Sequence, residues 1–244
     1  MIARGPLLGE FMGTFVLMLL GNGVVAGVLL KKTKAENAGW MVITTAWAFA
    51  VLSGIFVAQL FGSPDAHLNP AFTLAAAIKT HAWYTVLPYM AVQVAGAFLG
   101  AVATWLFFYP HWAVTDDPGA KLGVFATGPA IRHYASNFFC EVLATFVLVL
   151  VAGGMSSKLV LTTGAAAGLS PLLVGCLVWG VGLSLGATTG YAINPARDLG
   201  PRLAHQLMPI AGKGTSDWAY AWVPILGPLV GGALAGYVLL RIGA

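Results

Sequence analysis

The chain has 244 residues, 59% of them hydrophobic and only 8% charged, with a formal net charge of +4 and a mean hydropathy of +0.85. A water-soluble domain carries roughly 25% charged residues, so the composition excludes one and selects a membrane protein. The basic residues are scattered, without the aromatic interleaving of a nucleic-acid surface. Cys140 and Cys176 both fall in apolar stretches, which suggests neither a disulfide framework nor a metal site.

A helix that crosses a bilayer needs about 20 apolar residues. Six stretches qualify: 7–30, 40–61, 83–108, 134–151, 171–187 and 218–240. The first follows Arg4 and has the outline of a secretory leader, but it is long enough to span and recurs later, so it reads as a retained helix. The connectors are 31–38 (charged), 109–133 (rich in Pro, Asp and Gly), 152–170 (small and polar) and 209–217. Two further apolar segments, 69–79 and 194–206, are too short to span. As helices they would reach roughly 15–20 Å at 1.5 Å per residue. Meeting end to end, they would together cross a core of about 30 Å.

The short segments occupy matching places in an internal repeat. Glu10, Thr14, Phe15, Val16 and Leu17 recur as Glu141, Thr145, Phe146, Val147 and Leu148. Gln93, Gly96, Ala97 and Gly100 of the third span match Pro228, Gly231, Gly232 and Ala235 of the sixth. Each half, approximately 1–125 and 126–244, therefore holds three full spans and one half-span. An odd number of crossings inverts the second half relative to the first, and paired Pro-interrupted half-spans point to a transport site. Basic residues give no orientation. A cytoplasmic N-terminus puts Arg4, Lys79, Lys158 and Arg241 inside but Lys31, Lys32, Lys34, Lys121 and Arg132 outside.

Each short segment opens on the same triplet, Asn69-Pro70-Ala71 and Asn194-Pro195-Ala196. Asparagine is a good N-cap and proline suits the first helical position. The cap uses the side-chain oxygen and leaves the amide NH2 to donate. Two positive helix ends facing one another near the midplane would repel protons and cations while offering donors to a hydroxyl or water oxygen. A lone Asn-Pro would be read as a turn; two in equivalent places would not. Arg197 sits at the third helical position, where the helix dipole disfavours a cation, so something other than helix stability places it there. The equivalent residue in the first half is Phe72. Asp198 stands four residues before Arg202, which fits a local ion pair, and contact with a solute is equally open to it.

Glu10 and Glu141 lie inside predicted spans, where an unpaired acid costs about 2.5–3.5 kcal/mol. Their repeat symmetry favours a structural role, accepting hydrogen bonds from the N–H groups of a re-entrant loop, over a proton relay. His67, a single histidine, reads as a loop brace rather than a metal ligand. The pairs Gly9/Gly13, Gly96/Gly100, Gly227/Gly231 and Gly232/Gly236 have the spacing of close helix contacts. No nucleophile, metal cluster or His–acid pair converges, so an enzyme is not expected, nor a cofactor.

The two Asn-Pro-Ala boxes, the Glu-xxx-Thr-Phe repeats and the arginine after the second box resemble the aquaporin (major intrinsic protein) family over essentially the whole chain. The second box, Asn-Pro-Ala-Arg-Asp-Leu-Gly-Pro-Arg, with Asp198 after the arginine, is similar to the glycerol-facilitator (aquaglyceroporin) branch; water-only members usually have a small residue there. The resemblance implies an all-α membrane protein with six transmembrane helices and two re-entrant half-helices in an inverted repeat. It implies one channel domain over 1–244, a cytoplasmic N-terminus, a multi-pass place in the cell membrane among lipid, and a homotetramer with a pore in each subunit. It implies a selectivity filter of Trp47, Gly182, Tyr191 and Arg197, in which Gly182 stands where the water-selective branch has a narrowing histidine. It implies that carbonyls of Asp65, Ala66 and His67 on one side and Gly190, Tyr191 and Ala192 on the other line the path, with Glu10, Glu141 and Asp198 supporting the loops. Two departures stand out: Asp65 replaces a common glycine, and Tyr191 replaces a common phenylalanine. The implied function is passive passage of glycerol, other small uncharged solutes and water, with ions and protons excluded. The family also passes urea, dihydroxyacetone, hydrogen peroxide and undissociated small acids. A water-selective channel is the alternative, disfavoured by Gly182 and Asp198. An alternating-access transporter would be expected to show a coupling acid beside its substrate site.

Overall fold

The structure, a computed structural model, describes residues 4–163, 166 and 168–244. The connector expected at 152–170 therefore includes residues outside the described ones. All regular structure among the described residues is helical. Five helices are long and apolar enough to cross a membrane: α1 (Pro6–Leu29), α2 (Trp40–Leu60), α4 (Val86–Phe107, preceded by a short turn from Trp83), α7 (Tyr134–Ser156) and α10 (Trp222–Ile242). A sixth apolar helix, α8 (Leu169–Leu185), has 17 residues, or about 26 Å. That falls a little short of a hydrocarbon core of about 30 Å, a mismatch that local thinning absorbs at small cost. The half-helices are α3 (Pro70–Thr80) and α9 (Pro195–Leu207).

The largest departures of the element bounds from the sequence reading fall in three places. The fourth span runs on to Ser156 rather than ending at 151, because Ala152, Gly153 and Gly154 continue a helix already in register. The sixth begins at Trp222, since Trp218 and Tyr220 belong to turns closed by Asp217 and Trp218 carbonyls. The connector at 109–133 contains two short helices, α5 (Tyr109–Ala113) and α6 (Pro118–Phe125). Asp117 caps α6, accepting from the amides of Gly119 (2.7 Å) and Ala120 (3.2 Å), with Pro118 at its first position.

Helices pack through their smallest residues. A methyl group at Gly96 would stand 2.3 Å from the Phe11 carbonyl oxygen, and one at Gly231 2.3 Å from that of Val142. Backbones thus approach as only glycine allows, joining α4 to α1 and α10 to α7. Gly232 and Gly236 do the same for α10 against α3, where a methyl group would meet Ala71 and Ala75. Each half-helix therefore leans on the last span of the other half: α3 on α10, and α9 on α4. Outside, large apolar side chains such as Phe49, Leu87, Phe107 and Phe139 are exposed, the pattern expected where the surrounding medium is lipid. With several spanning helices, the chain is a multi-pass integral membrane protein.

Candidate functional site

The half-helices start where their sequences say they must. The Asn69 side-chain oxygen accepts from the Ala71 amide at 2.8 Å, and that of Asn194 accepts from Ala196 at 3.0 Å and Arg197 at 3.3 Å. Prolines 70 and 195 follow at the first helical position. The two amide groups do more than the caps require. Asn69 donates from Nδ2 to the Ile193 carbonyl (2.8 Å), and Asn194 donates from Nδ2 to the Leu68 carbonyl (2.8 Å). One N–H of each asparagine ties the two loops together, and the other has no acceptor among the described residues. This reciprocal clasp fixes the half-helix N-termini face to face.

The loops leading to the boxes carry unusual backbone. Ala66 (φ +44°), Leu68 (+52°), Tyr191 (+36°) and Ile193 (+45°) all lie in the left-handed region, where a non-glycine residue costs of order 1–3 kcal/mol. Buried glutamates hold both loops in this shape. Glu10 accepts from the His67 amide (2.8 Å), the Leu68 amide (2.7 Å), the Ser63 hydroxyl (2.7 Å) and the Gln93 side chain (2.8 Å). Glu141 accepts from the Ala192 and Ile193 amides (both 3.0 Å) and the Thr189 hydroxyl (2.7 Å). Each carboxylate thus takes the two N–H groups that follow the first left-handed non-glycine residue of its loop. An unmade bond there would leave a buried donor unsatisfied, at about 1–3 kcal/mol each. His67 Nδ1 lies 3.3 Å from the Thr73 hydroxyl, and its ring packs on Tyr89 at 5.5 Å.

Between these parts lies a cavity of about 550 Å³. Trp47, Tyr191 and Arg197 border one end of it, Asn69 and Asn194 its middle, and Lys79, Ser156 and Ser170 the other end. At about 30 Å³ per water, it has room for a file of small molecules. Asp65, Ala66, His67 and Ala192 also line it. Gly182 and Gly190 do not. Gly190 is turned back on the end of α8, its amide bonded to the Gly186 carbonyl (2.9 Å). Gly182 lies behind the Tyr191 ring: a methyl group there would stand 2.9–3.0 Å from its Cζ, Cε2 and hydroxyl oxygen. The glycine is therefore a slot for the Tyr191 ring. Trp40, which sequence reasoning missed, closes the slot. It donates from Nε1 to the Gly182 carbonyl (3.2 Å) and meets Tyr191 edge-on at 5.7 Å.

Arg197 is 7% exposed. Its Cζ sits 4.2 Å above the Trp47 ring, a cation–π arrangement. One N–H reaches the Phe125 carbonyl at 3.4 Å, which leaves most of its five donors free. The Trp47 indole N–H and the Tyr191 hydroxyl, both buried, have no protein partner. The site thus joins an aromatic wall to the remaining donors of Arg197.

Asp198 faces away from the cavity. It receives Arg202 Nε at 2.7 Å and Nη2 at 2.9 Å, both residues being fully buried, and also accepts from the Thr127 amide and hydroxyl (both 2.8 Å). Arg202 in turn donates to the carbonyls of Ser216 (2.7 Å), Asp217 (3.0 Å) and Thr127 (3.0 Å). Of the two readings open for Asp198, the ion pair is the one made. Lys213 caps the far end of α9, donating to the carbonyls of His205, Gln206 and Met208 at 2.6–2.8 Å. Burial pushes its pKa down. Among the described residues no group of three or more His, Cys, Asp or Glu could hold a metal ion.

Comparison with known proteins matches this architecture. The family model described as major intrinsic protein matches residues 3–239. The chain is 60% identical to "Glycerol uptake facilitator protein 3" of Lactiplantibacillus plantarum, over 97% of this chain and 95% of that one. It is 54% identical to "Probable glycerol uptake facilitator protein" of Thermotoga maritima, over 93% and 94%. The solved aquaglyceroporin from Plasmodium falciparum superposes with a TM-score of 0.84 at 26% identity, covering 98% of this chain and 96% of that one. The chain belongs to the major intrinsic protein family, in its glycerol-facilitator branch.

Proposed function

We propose that the protein is a passive channel that lets glycerol, similarly small uncharged solutes and water cross the cell membrane while excluding protons and ions. The observation that carries this reading is the pairing, on the wall of one cavity, of two aromatic rings (Trp47, Tyr191) with an arginine, Arg197, whose guanidinium makes one hydrogen bond to the protein among the described residues. A polyol has a carbon edge for the wall and hydroxyls for the arginine. Farther in, the two half-helix N-termini and their asparagines orient each passing oxygen as an acceptor. Their positive ends oppose a proton or cation at the midplane. Trp47, Gly182, Tyr191 and Arg197 act together as the filter, Gly182 by seating Tyr191. The carbonyls of Asp65, Ala66, His67, Tyr191 and Ala192 offer acceptors along the path, and Glu10, Glu141 and Asp198 hold the loops. The names of the relatives support glycerol as a substrate.

The two halves, approximately 1–125 and 126–244, form an inverted repeat within one channel domain. The symmetry of the Glu10 and Glu141 networks supports this. The channel works as a homotetramer in lipid, each subunit with its own pore. The exposed apolar faces of the outer helices suit both neighbours. Glycerol entry into proteoliposomes, measured against concentration and against an imposed proton gradient, tests the passive reading. Entry should rise in proportion to concentration and ignore the gradient. Saturation with proton dependence would make the protein a coupled transporter.

A further inference from the structure

One face of α9 carries a polar stripe that neither the cavity nor the helix itself requires. Asp198, Arg202 and His205 follow one another at helical spacing, and all three are fully buried. The corresponding residues of α3 are Thr73, Ala77 and Thr80, so the stripe belongs to one side of the membrane only. The first two members form the ion pair described above. His205 is left with a role of its own. Its Nδ1 lies 2.8 Å from the Ser216 hydroxyl, its Nε2 has no partner, and its ring packs against Phe125 at 5.6 Å. Phe125 is also stacked on Trp112, with ring centroids 5.5 Å apart. The carbonyl of this same Phe125 is the acceptor for Arg197. A buried imidazole with one bonded nitrogen is a costly choice for filling space, because a leucine would fill it without leaving a polar atom unpaired.

We propose that His205 is a positioning residue for the filter. Anchored by Ser216, its ring wedges Phe125 so that the Phe125 carbonyl holds Arg197 over Trp47, with its remaining donors toward the passing solute. The proposal rests on the reading of Arg197 as a solute donor, and it assigns the setting of that donor to a residue eight positions along the same helix. A helix advances 100° per residue, so Arg197 faces the cavity while His205, with Asp198 and Arg202, faces the outer connectors.

The test uses the full chain in proteoliposomes, with the glycerol-to-water permeability ratio as the readout, because that ratio does not depend on how much channel is inserted. His205→Ala should lower it about threefold or more. His205→Gln, which can still meet Ser216, should stay within about twofold of the parent. Ser216→Ala, which leaves the ring in place but unanchored, should fall between them and serves if His205→Ala does not insert. Arg197→Val should itself lower the ratio, and adding His205→Ala to it should change the ratio no further, since the effect passes through the arginine. A ratio unchanged in His205→Ala or, where that variant does not insert, in Ser216→Ala, or a further fall in the double variant, would overturn the proposal. Loss of glycerol permeability in the parent itself would instead count against the channel reading.

Discussion

Gly182→Ala is the sharpest way to ask what sets the width of the filter. The added methyl group would lie 2.9 Å from Tyr191 Cζ and 3.0 Å from Cε2 and the hydroxyl, where ordinary contact begins at 3.4 Å. The ring tip must therefore move by about 0.5 Å. It cannot retreat along α8, because Gly186 already packs against Cδ1, nor sideways, because Trp40 meets the ring edge-on. The remaining direction is into the cavity, toward Trp47 and Arg197. Overpacking of this kind costs about 1–3 kcal/mol. If a glycerol molecule in the narrowed filter bears half or more of that, its passage slows by about twofold to more than a hundredfold, at about 1.4 kcal/mol per factor of ten. Water, being smaller, should lose less than about threefold, and Gly182→His should act in the same direction more strongly. Stopped-flow light scattering on proteoliposomes reads both permeabilities. In a Tyr191→Ala background the ring is gone, so Gly182→Ala should there change glycerol passage by less than about twofold. An equal loss with and without the ring would refute the slot argument.

Arg197→Val removes the cation from the cavity wall and should raise proton leak, read with a pH-sensitive dye inside the vesicles. A leak equal to the parent's would remove Arg197 from the barrier. Asp198→Asn leaves the fully buried Arg202 without its charge partner, a change worth about 3–5 kcal/mol, moderated here by the three carbonyls that Arg202 also meets. At the low end, about 3 kcal/mol, the unfolding midpoint in detergent should fall by about 6–12 °C, at about 2–4 °C per kcal/mol for a chain of this size. A fall under about 2 °C would mean the pair contributes little.

What could be read from the sequence was whatever is coded locally. The half-helices were legible to within one or two residues because an N-cap asparagine and the proline after it state a helix start outright. The spans were legible because lipid demands long apolar runs. Glu10 and Glu141 stood out because an acid in such a run has to be answered by donors. What escaped notice depends on residues far apart in the chain. The clasp from Asn69 to Ile193 and from Asn194 to Leu68 joins residues some 125 positions apart. Phe125 and Thr127 lie in a connector with no periodicity, so nothing marked them as partners of Arg197 and Asp198. Gly182 was visible as a missing side chain, but the ring that occupies its place comes from another loop. Gln93 carried a usable signal, a lone amide within an apolar span. It bonds Glu10 and Thr73 together.

The central claim is that one pore carries both water and glycerol, and paired osmotic shocks of the same proteoliposomes test it most directly. An impermeant solute should drive rapid shrinkage, and glycerol should drive shrinkage followed by re-swelling well above the rate of protein-free vesicles. Rapid shrinkage with re-swelling no faster than in protein-free vesicles would contradict the account.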